Sequence, residues 1–158
     1  MTDGSSLTPR EIALLVCASV RALGDSYCSI AWGSRLAKLV DPSVAAEVLR
    51  GVDAPALTGR ETALRRWADQ VVHHPNGTTA AQVEALRAAG LSEREILEAT
   101  VYVAFRLAFS TVNDALGAPP DAQLVAAAPP PVRAAVTYGR QPANSHFRPG
   151  TDVQASAG

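Results

Sequence analysis

Apolar residues recur along most of the chain at the three- and four-residue spacing that places side chains on one face of a helix. Such faces run through residues 12–23, 64–72 and 96–107. No stretch alternates apolar and polar residues over more than a few positions, as a half-buried strand would. The pattern therefore predicts an all-α protein.

Helix-start signals precede these faces. In four places a Ser or Thr is followed three residues later by Glu or Gln, which is the capping box that satisfies free backbone N–H groups. The pairs are Thr8 with Glu11, Thr58 with Glu61, Thr79 with Gln82, and Ser92 with Glu95. Asp41 before Pro42 predicts a further short helix that ends near Arg50. We expect about six helices in one bundle.

The composition changes after Gly117, where Pro and Ala predominate. A short helix is predicted over residues 132–137, and an extended tail is expected from about Gly139. We therefore divide the chain into a helical core domain, residues 1–117, and an extension, residues 118–158, that packs on the core or on a neighbouring subunit.

The charge balance argues against several classes of partner. The 158 residues include 14 Lys and Arg and 15 Asp and Glu, and a net charge of −1 gives no attraction to nucleic acid or to an anionic membrane.

No apolar run approaches the roughly 20 residues of a membrane span, and no signal peptide is recognisable. The two cysteines are too few for a disulfide framework. Because the side chains of His73 and His74 diverge on their helix, we expect no metal site. We expect a cytoplasmic protein.

The residues with the most chemical potential lie at the predicted start of the second helix. Gly24 breaks the first helix, Asp25 is a strong N-cap residue, and Cys28 takes the third helical position. The helix dipole there lowers the pKa of a thiol, whereas the capping carboxylate acts in the opposite direction. One helix face is predicted to carry four side chains, Asp25, Cys28, Trp32 and Arg35.

The same segment resembles the redox motif of the alkylhydroperoxidase-D and carboxymuconolactone decarboxylase family. The matching residues are Tyr27, Cys28, Ala31 and Leu36-Ala37-Lys38. Residues 60–64, 83–92 and 113–117 are similar to later blocks of that family in the same order, so the resemblance covers about residues 7–140. The resemblance implies an all-α bundle that assembles as a homo-oligomer, either a trimer or a hexamer.

The chain departs from the family's motif at three of its four functional positions. Asp25 stands in place of the first cysteine, Trp32 in place of the histidine, and Ala13 near the position of the glutamate. Without a second thiol in the motif, Cys28 has no local partner for a dithiol–disulfide cycle. Cys17 lies eleven residues before Cys28, and we interpret it as a small buried residue rather than a redox partner.

Further residues are candidates for substrate binding around this motif. Trp32 is suited to form an apolar wall for a ring-shaped ligand, with Tyr27 and Arg35 beside it. On the last long helix, Arg106 suits a substrate carboxylate, and Ser110 follows one turn later. These two belong to a polar strip, for which we favour exposure to solvent over a position in a pocket: Arg106, Ser110, Asn113 and Asp114.

Three hypotheses for the function remain open. The first is a cofactor-free enzyme that acts on a small molecule by proton transfer, as a decarboxylase, lyase or isomerase, with Asp25 as acid or base and Cys28 nearby. The second is a peroxide or thiol enzyme that uses Cys28 alone together with an external thiol. The third is a non-catalytic oligomeric binding protein. The altered histidine and glutamate positions favour the first and third over the second.

Overall fold

The computed structural model describes residues 4–143. These residues form eight α-helices, one short 3₁₀ helix and no strand, which confirms the predicted all-α bundle. The α-helices are α1, Pro9–Leu23; α2, Ser26–Leu36; α3, Pro42–Arg50; α4, Gly59–His73; α5, Ala80–Ala88; α6, Glu93–Ala115; α7, Ala122–Ala127; and α8, Pro130–Ala135. Six of them begin at predicted caps, α8 overlaps the short helix predicted over residues 132–137, and α7 is an additional short helix. No helix in residues 4–143 is long and apolar enough to cross a membrane.

Each predicted capping box forms with both of its hydrogen bonds. In α1, Thr8 Oγ1 accepts from the backbone N–H of Glu11 at 3.2 Å, and the Glu11 carboxylate accepts from the N–H of Thr8 at 2.8 Å. Asp25 and Asp41 cap α2 and α3 without a capping box: their side-chain oxygens accept from the backbone N–H groups of Cys28 and Ser43. Local sequence therefore decides where six helices begin.

Helix α1 lies at the centre of the bundle and packs against α2, α4 and α6. Every residue from 11 to 20 is buried, which is more than one amphipathic face would bury. Ser19, a polar residue in this buried stretch, donates its hydroxyl to the carbonyl of Leu15 at 2.7 Å. Cys17 is fully buried, in agreement with its interpretation as a small core residue.

Arginine side chains join the helix starts to one another. Arg60 of α4 contacts the cap glutamates of α1 and α6, with 2.5 Å from Nε to Glu11 Oε1 and 2.5 Å from Nη2 to Glu95 Oε1. Arg10 of α1 reaches in the opposite direction to Glu61 of α4, at 2.5 Å. The glutamates of three capping boxes therefore also hold α1, α4 and α6 together.

The second half of α6 has the reverse of the expected orientation. We expected the polar strip in residues 106–114 to face solvent, but Ser110 is fully buried and the other members of the strip are half-buried. Six large apolar side chains of α6 and its C-cap residue are exposed instead: Leu97, Val101, Phe105, Phe109, Val112 and Leu116. The prediction was wrong because two residues of the strip, Ser110 and Asn113, find hydrogen-bond partners inside the bundle, at the start of α2.

The described part of the C-terminal extension, residues 118–143, lies against α2 and α3 through α7 and α8. After α8 the chain crosses the start of α2, where the Ser26 hydroxyl donates to the carbonyl of Arg140 at 2.8 Å. The tail predicted beyond Gly139 continues into residues 144–158, which lie outside the described residues. The division into a core domain and an extension stays a prediction.

Candidate functional site

The candidate site forms where the start of α2 meets the second half of α6. Asp25 caps α2 and is only 1% exposed. Its Oδ1 accepts from the backbone N–H of Cys28 at 2.9 Å, and its Oδ2 accepts from the Ser110 hydroxyl at 2.6 Å. Short hydrogen bonds to a buried carboxylate are among the stronger polar contacts in proteins. Asp25 is therefore both a helix cap and the link between α2 and α6.

The Cys28 thiol lies beside this carboxylate and is 8% exposed. Burial, followed by the hydrogen bond to Asp25 and the charge of Asp25, raises the pKa of the thiol to about 12. The Arg106 charge and the Asn113 amide, which donates to Sγ at 3.7 Å, act in the opposite direction. Burial and the carboxylate outweigh the lowering of the pKa that we expected from the helix dipole. The thiol is therefore protonated at neutral pH.

Two guanidinium groups lie over the ring of Trp32. The Cζ atom of Arg35 is 4.9 Å from the ring centroid, and the Cζ atom of Arg106 is 5.3 Å from it. Arg106 also lies 5.0 Å from the ring centroid of Phe109. The ring that we expected to form an apolar wall therefore also positions two cations.

Arg106 brings a positive charge to the site from α6. Its Nε is buried and has no hydrogen-bond acceptor among the described residues. Its charge acts on the Cys28 thiol and favours the thiolate form. A buried guanidinium N–H without an acceptor is suited to hold an anionic group of a ligand.

Most of the residues that we predicted for the site are close together. One contact group contains Asp25, Cys28 and Ser110, and the other contains Trp32, Arg35 and Arg106. Tyr27 is engaged elsewhere, because its hydroxyl donates to Asp121 Oδ2 at 3.1 Å. That hydrogen bond is the main cause that raises the pKa of Tyr27. The roles of all these residues in catalysis or binding stay predictions.

Two residues of α6 belong to this site but were not predicted as part of it. Asn113 contacts the thiol, and Asp114 has a raised pKa because of its burial and the nearby charge of Asp25. A signal for both was present in the sequence, since they follow Ser110 by three and four residues and so lie on the same helix face.

The other residues with chemical potential, the two histidines of α4 and Cys17, are not part of this site. In the described part of the chain, no group of three His, Cys, Asp or Glu side chains is arranged to hold a metal ion. His73 and His74 are exposed at the end of α4. Burial raises the pKa of the Cys17 thiol far above its usual range. The expected lack of a metal or cofactor stays a prediction.

Chemically, the site combines three capacities in a small volume. The Asp25 carboxylate can accept a proton, the Cys28 thiol can donate one, and Arg106 can hold an anion. Ser110 connects the carboxylate to α6 and holds it in a fixed orientation. The arrangement is therefore suited to proton transfer, whereas a protonated thiol is a poor nucleophile.

The same fold occurs in two solved structures of peroxidase-related proteins. One is an uncharacterized peroxidase-related protein from Silicibacter sp., with a TM-score of 0.72 and 22% sequence identity, and the match covers 78% of this chain and 65% of that chain. The other is an alkylhydroperoxidase AhpD core, a peroxidase-related protein from Ralstonia eutropha, with a TM-score of 0.68 and 25% identity over 76% of this chain and 64% of that chain. No family model matches the chain, and no curated protein matches it.

These likenesses define the class of protein. The chain has an alkylhydroperoxidase-D-like helical fold, and the resemblance inferred from its sequence motifs is confirmed. The chain spans 65% and 64% of the length of the two solved structures. A likeness of this extent establishes the fold. Because one fold can carry many reactions, the function has to be argued from the residues of the site.

Proposed function

We propose that the protein is a cofactor-free enzyme that catalyses proton transfer on a small molecule, with chemistry of the decarboxylase, lyase or isomerase type. The observation that carries this proposal is the contact of one buried carboxylate, Asp25, with both the Cys28 thiol and the Ser110 hydroxyl. Arg106 stands beside this group with an Nε that lacks an acceptor among the described residues. A carboxylate, a proton donor and an anion-holding group are the parts that such chemistry needs.

The proposed roles follow from exposure and charge. Cys28 is more exposed than Asp25, and its thiol is protonated at neutral pH, so it delivers a proton to the substrate. Asp25 directs the thiol and takes up the proton that the substrate loses. Through its hydrogen bond to Cys28 it then passes this proton to the thiolate, so that both groups return to their starting protonation states. Arg106 holds the substrate's anionic group over the Trp32 ring, with Arg35 on the same ring.

The test is deuterium exchange into a panel of 3-oxo carboxylic acids in D₂O, followed by proton NMR for exchange and for loss of CO₂. Asp25→Asn keeps a cap but loses the proton acceptor, and we expect its rate to fall about 100-fold or more. Asp41→Asn is the matched control, because Asp41 caps α3 at an exposed position. If Asp25→Asn kept full activity while Cys28→Ser were inactive, the proton-transfer proposal would be refuted and thiol chemistry would be favoured.

A second candidate is a peroxide-reducing enzyme that uses Cys28 alone. The likeness to proteins described as peroxidase-related favours it, whereas the raised pKa of the thiol weakens it. In this reaction the thiol would reduce a hydroperoxide to an alcohol and become a sulfenic acid, which an external thiol would reduce. Trapping with dimedone and mass spectrometry would detect that acid. We expect no Cys17–Cys28 disulfide, and its stoichiometric formation with peroxide would contradict this expectation.

The third candidate, a non-catalytic binding protein, retains the same site without turnover. It is favoured over both enzymes if no member of the panel exchanges and no sulfenic acid forms. The cytoplasmic location and the lack of nucleic-acid and membrane partners also stay predictions.

We further propose that the protein is a homo-oligomer, a trimer or a hexamer, that buries the outer face of α6. That face exposes six large apolar side chains, including Phe105 and Leu116, the latter 81% exposed. A contiguous apolar patch of this kind is typical of a subunit interface. Phe105→Glu is expected to lower the mass measured by light scattering, whereas Val52→Glu, at an exposed apolar residue outside α6, is not. A monomeric wild-type protein at micromolar concentration would refute the proposal.

A further inference from the structure

A cavity lies between α4 and α5, and none of the candidate site residues lines it. This groove has a volume of about 840 Å³, within the range of small-molecule sites in proteins. Its apolar lining includes the buried residues Trp67 and Leu86 and the small residues Ala63, Ala85 and Ala89. The indole N–H of Trp67 donates to Thr100 Oγ1 at 2.9 Å, which fixes the orientation of the ring.

The charges that line the groove are not balanced. Two arginines, Arg65 and Arg66, and one acid, Asp69, are the charged residues among its lining. The Asp69 carboxylate is occupied, because it pairs with both Arg21 and Arg65. Arg66 forms no ion pair within residues 4–143, and the buried Nε of Arg65 has no acceptor there. The groove therefore combines an apolar lining with an unpaired positive charge.

We propose that the α4–α5 groove is a binding site for a small amphipathic carboxylate. The apolar body of the ligand lies against Trp67 and Leu86, and its carboxylate pairs with Arg66. Gln70 and Gln82, which also line the groove, supply neutral hydrogen-bonding groups at the polar end. Charge complementarity selects this ligand class, since a neutral apolar molecule leaves Arg66 without a partner and a cation is repelled by it.

Trp67 itself can report the binding. The chain contains two tryptophans, Trp32 and Trp67, so Trp32→Phe leaves Trp67 as the single fluorophore. In this variant, with its fold checked by circular dichroism, we expect octanoate to change the Trp67 emission saturably. Octanol has the same chain without the charge, and we expect it to bind at least about fivefold more weakly, which corresponds to an ion pair worth about 1 kcal/mol at an exposed edge.

Three variants in this background separate the contributions. Arg66→Gln is expected to weaken octanoate binding about fivefold and to leave octanol binding unchanged. Ala85→Phe is expected to fill the groove and abolish binding of both compounds. Arg50→Gln is the matched control, because Arg50 is exposed, forms no ion pair in the described residues and does not line the groove. It is expected to bind octanoate like the parent.

Several outcomes would overturn the proposal. Equal affinity for octanoate and octanol, or no effect of Arg66→Gln, would show that the groove does not select a carboxylate. An emission that depends on protein concentration and not on octanoate would show that a second copy of the chain occupies the groove. The proposal is independent of the chemistry at Asp25, so Asp25→Asn is expected to bind octanoate normally.

Discussion

Replacement of Asp25 by Asn is expected to make the Cys28 thiol more reactive. The pKa of the thiol is raised to about 12 by burial first, then by the hydrogen bond to Asp25 and the charge of Asp25. At pH 9 a thiol with that pKa is about one part in a thousand thiolate, and only the thiolate is alkylated. Asn keeps the helix cap but removes the negative charge.

The size of the effect follows from the order of these causes. Burial is the largest cause and remains in the variant, so the pKa does not return to its ordinary value. A neighbouring charge shifts a pKa by about one unit or more, and one unit is tenfold in the thiolate fraction. We therefore expect iodoacetamide to alkylate Cys28 about tenfold faster at pH 9 in Asp25→Asn than in the wild type, as measured by mass spectrometry.

Two further variants test the cause of the faster reaction. Ser110→Ala removes the other hydrogen bond to Asp25 and loosens the site, but it keeps the negative charge. It is therefore not expected to lower the pKa of the thiol, and its alkylation rate serves as the control for local opening. Cys28→Ser should show no labelling, since Cys17 is fully buried. Equal rates in Asp25→Asn and the wild type, or equal increases in Asp25→Asn and Ser110→Ala, would refute the electrostatic reasoning.

Arg60→Gln is expected to lower the free energy of unfolding by about 2 kcal/mol in urea titrations at pH 7, because it removes two partly buried ion pairs. The hydrogen bond to Arg60 is the main cause that lowers the pKa of Glu95 from 4.5 to about 2. The ionised Glu95 therefore stabilises the folded state fully above pH 4.5, and this stabilisation is lost as the pH falls towards 2. The cost of Arg60→Gln should therefore shrink over that range, and a constant cost would contradict the assignment. Gly139→Ala is expected to cost more than about 2 kcal/mol, since φ is +73° and a Cβ atom would lie 2.4 Å from the carbonyl oxygen of Gly24. Gly90→Ala, at φ +89° with open space around it, is the control and is expected to cost about 1 kcal/mol; equal costs would show that the close contact is unimportant.

Local patterns in the sequence were sufficient for the class of fold and for most helix boundaries. A capping box involves residues only three positions apart, so Thr8, Thr58, Thr79 and Ser92 specify helix starts without help from distant parts of the chain. Asp25 as the cap of α2 is predictable for the same reason. The three-residue spacing of Asp25 and Cys28 also predicts that both lie on one turn of the helix, and hence that they are neighbours.

The orientation of α6 and the properties of Cys28 depended on the tertiary structure. Both faces of α6 contain apolar residues, and only packing determines that Ser110 and Asn113 turn inwards while the large apolar side chains remain exposed. The contact between Ser110 and Asp25 joins residues 85 positions apart, which no local pattern encodes. The pKa of Cys28 likewise depends on how much water the packed helices remove and on which charges they bring near, so the sequence named two opposing effects, the helix dipole and the capping carboxylate, and could not give the net direction.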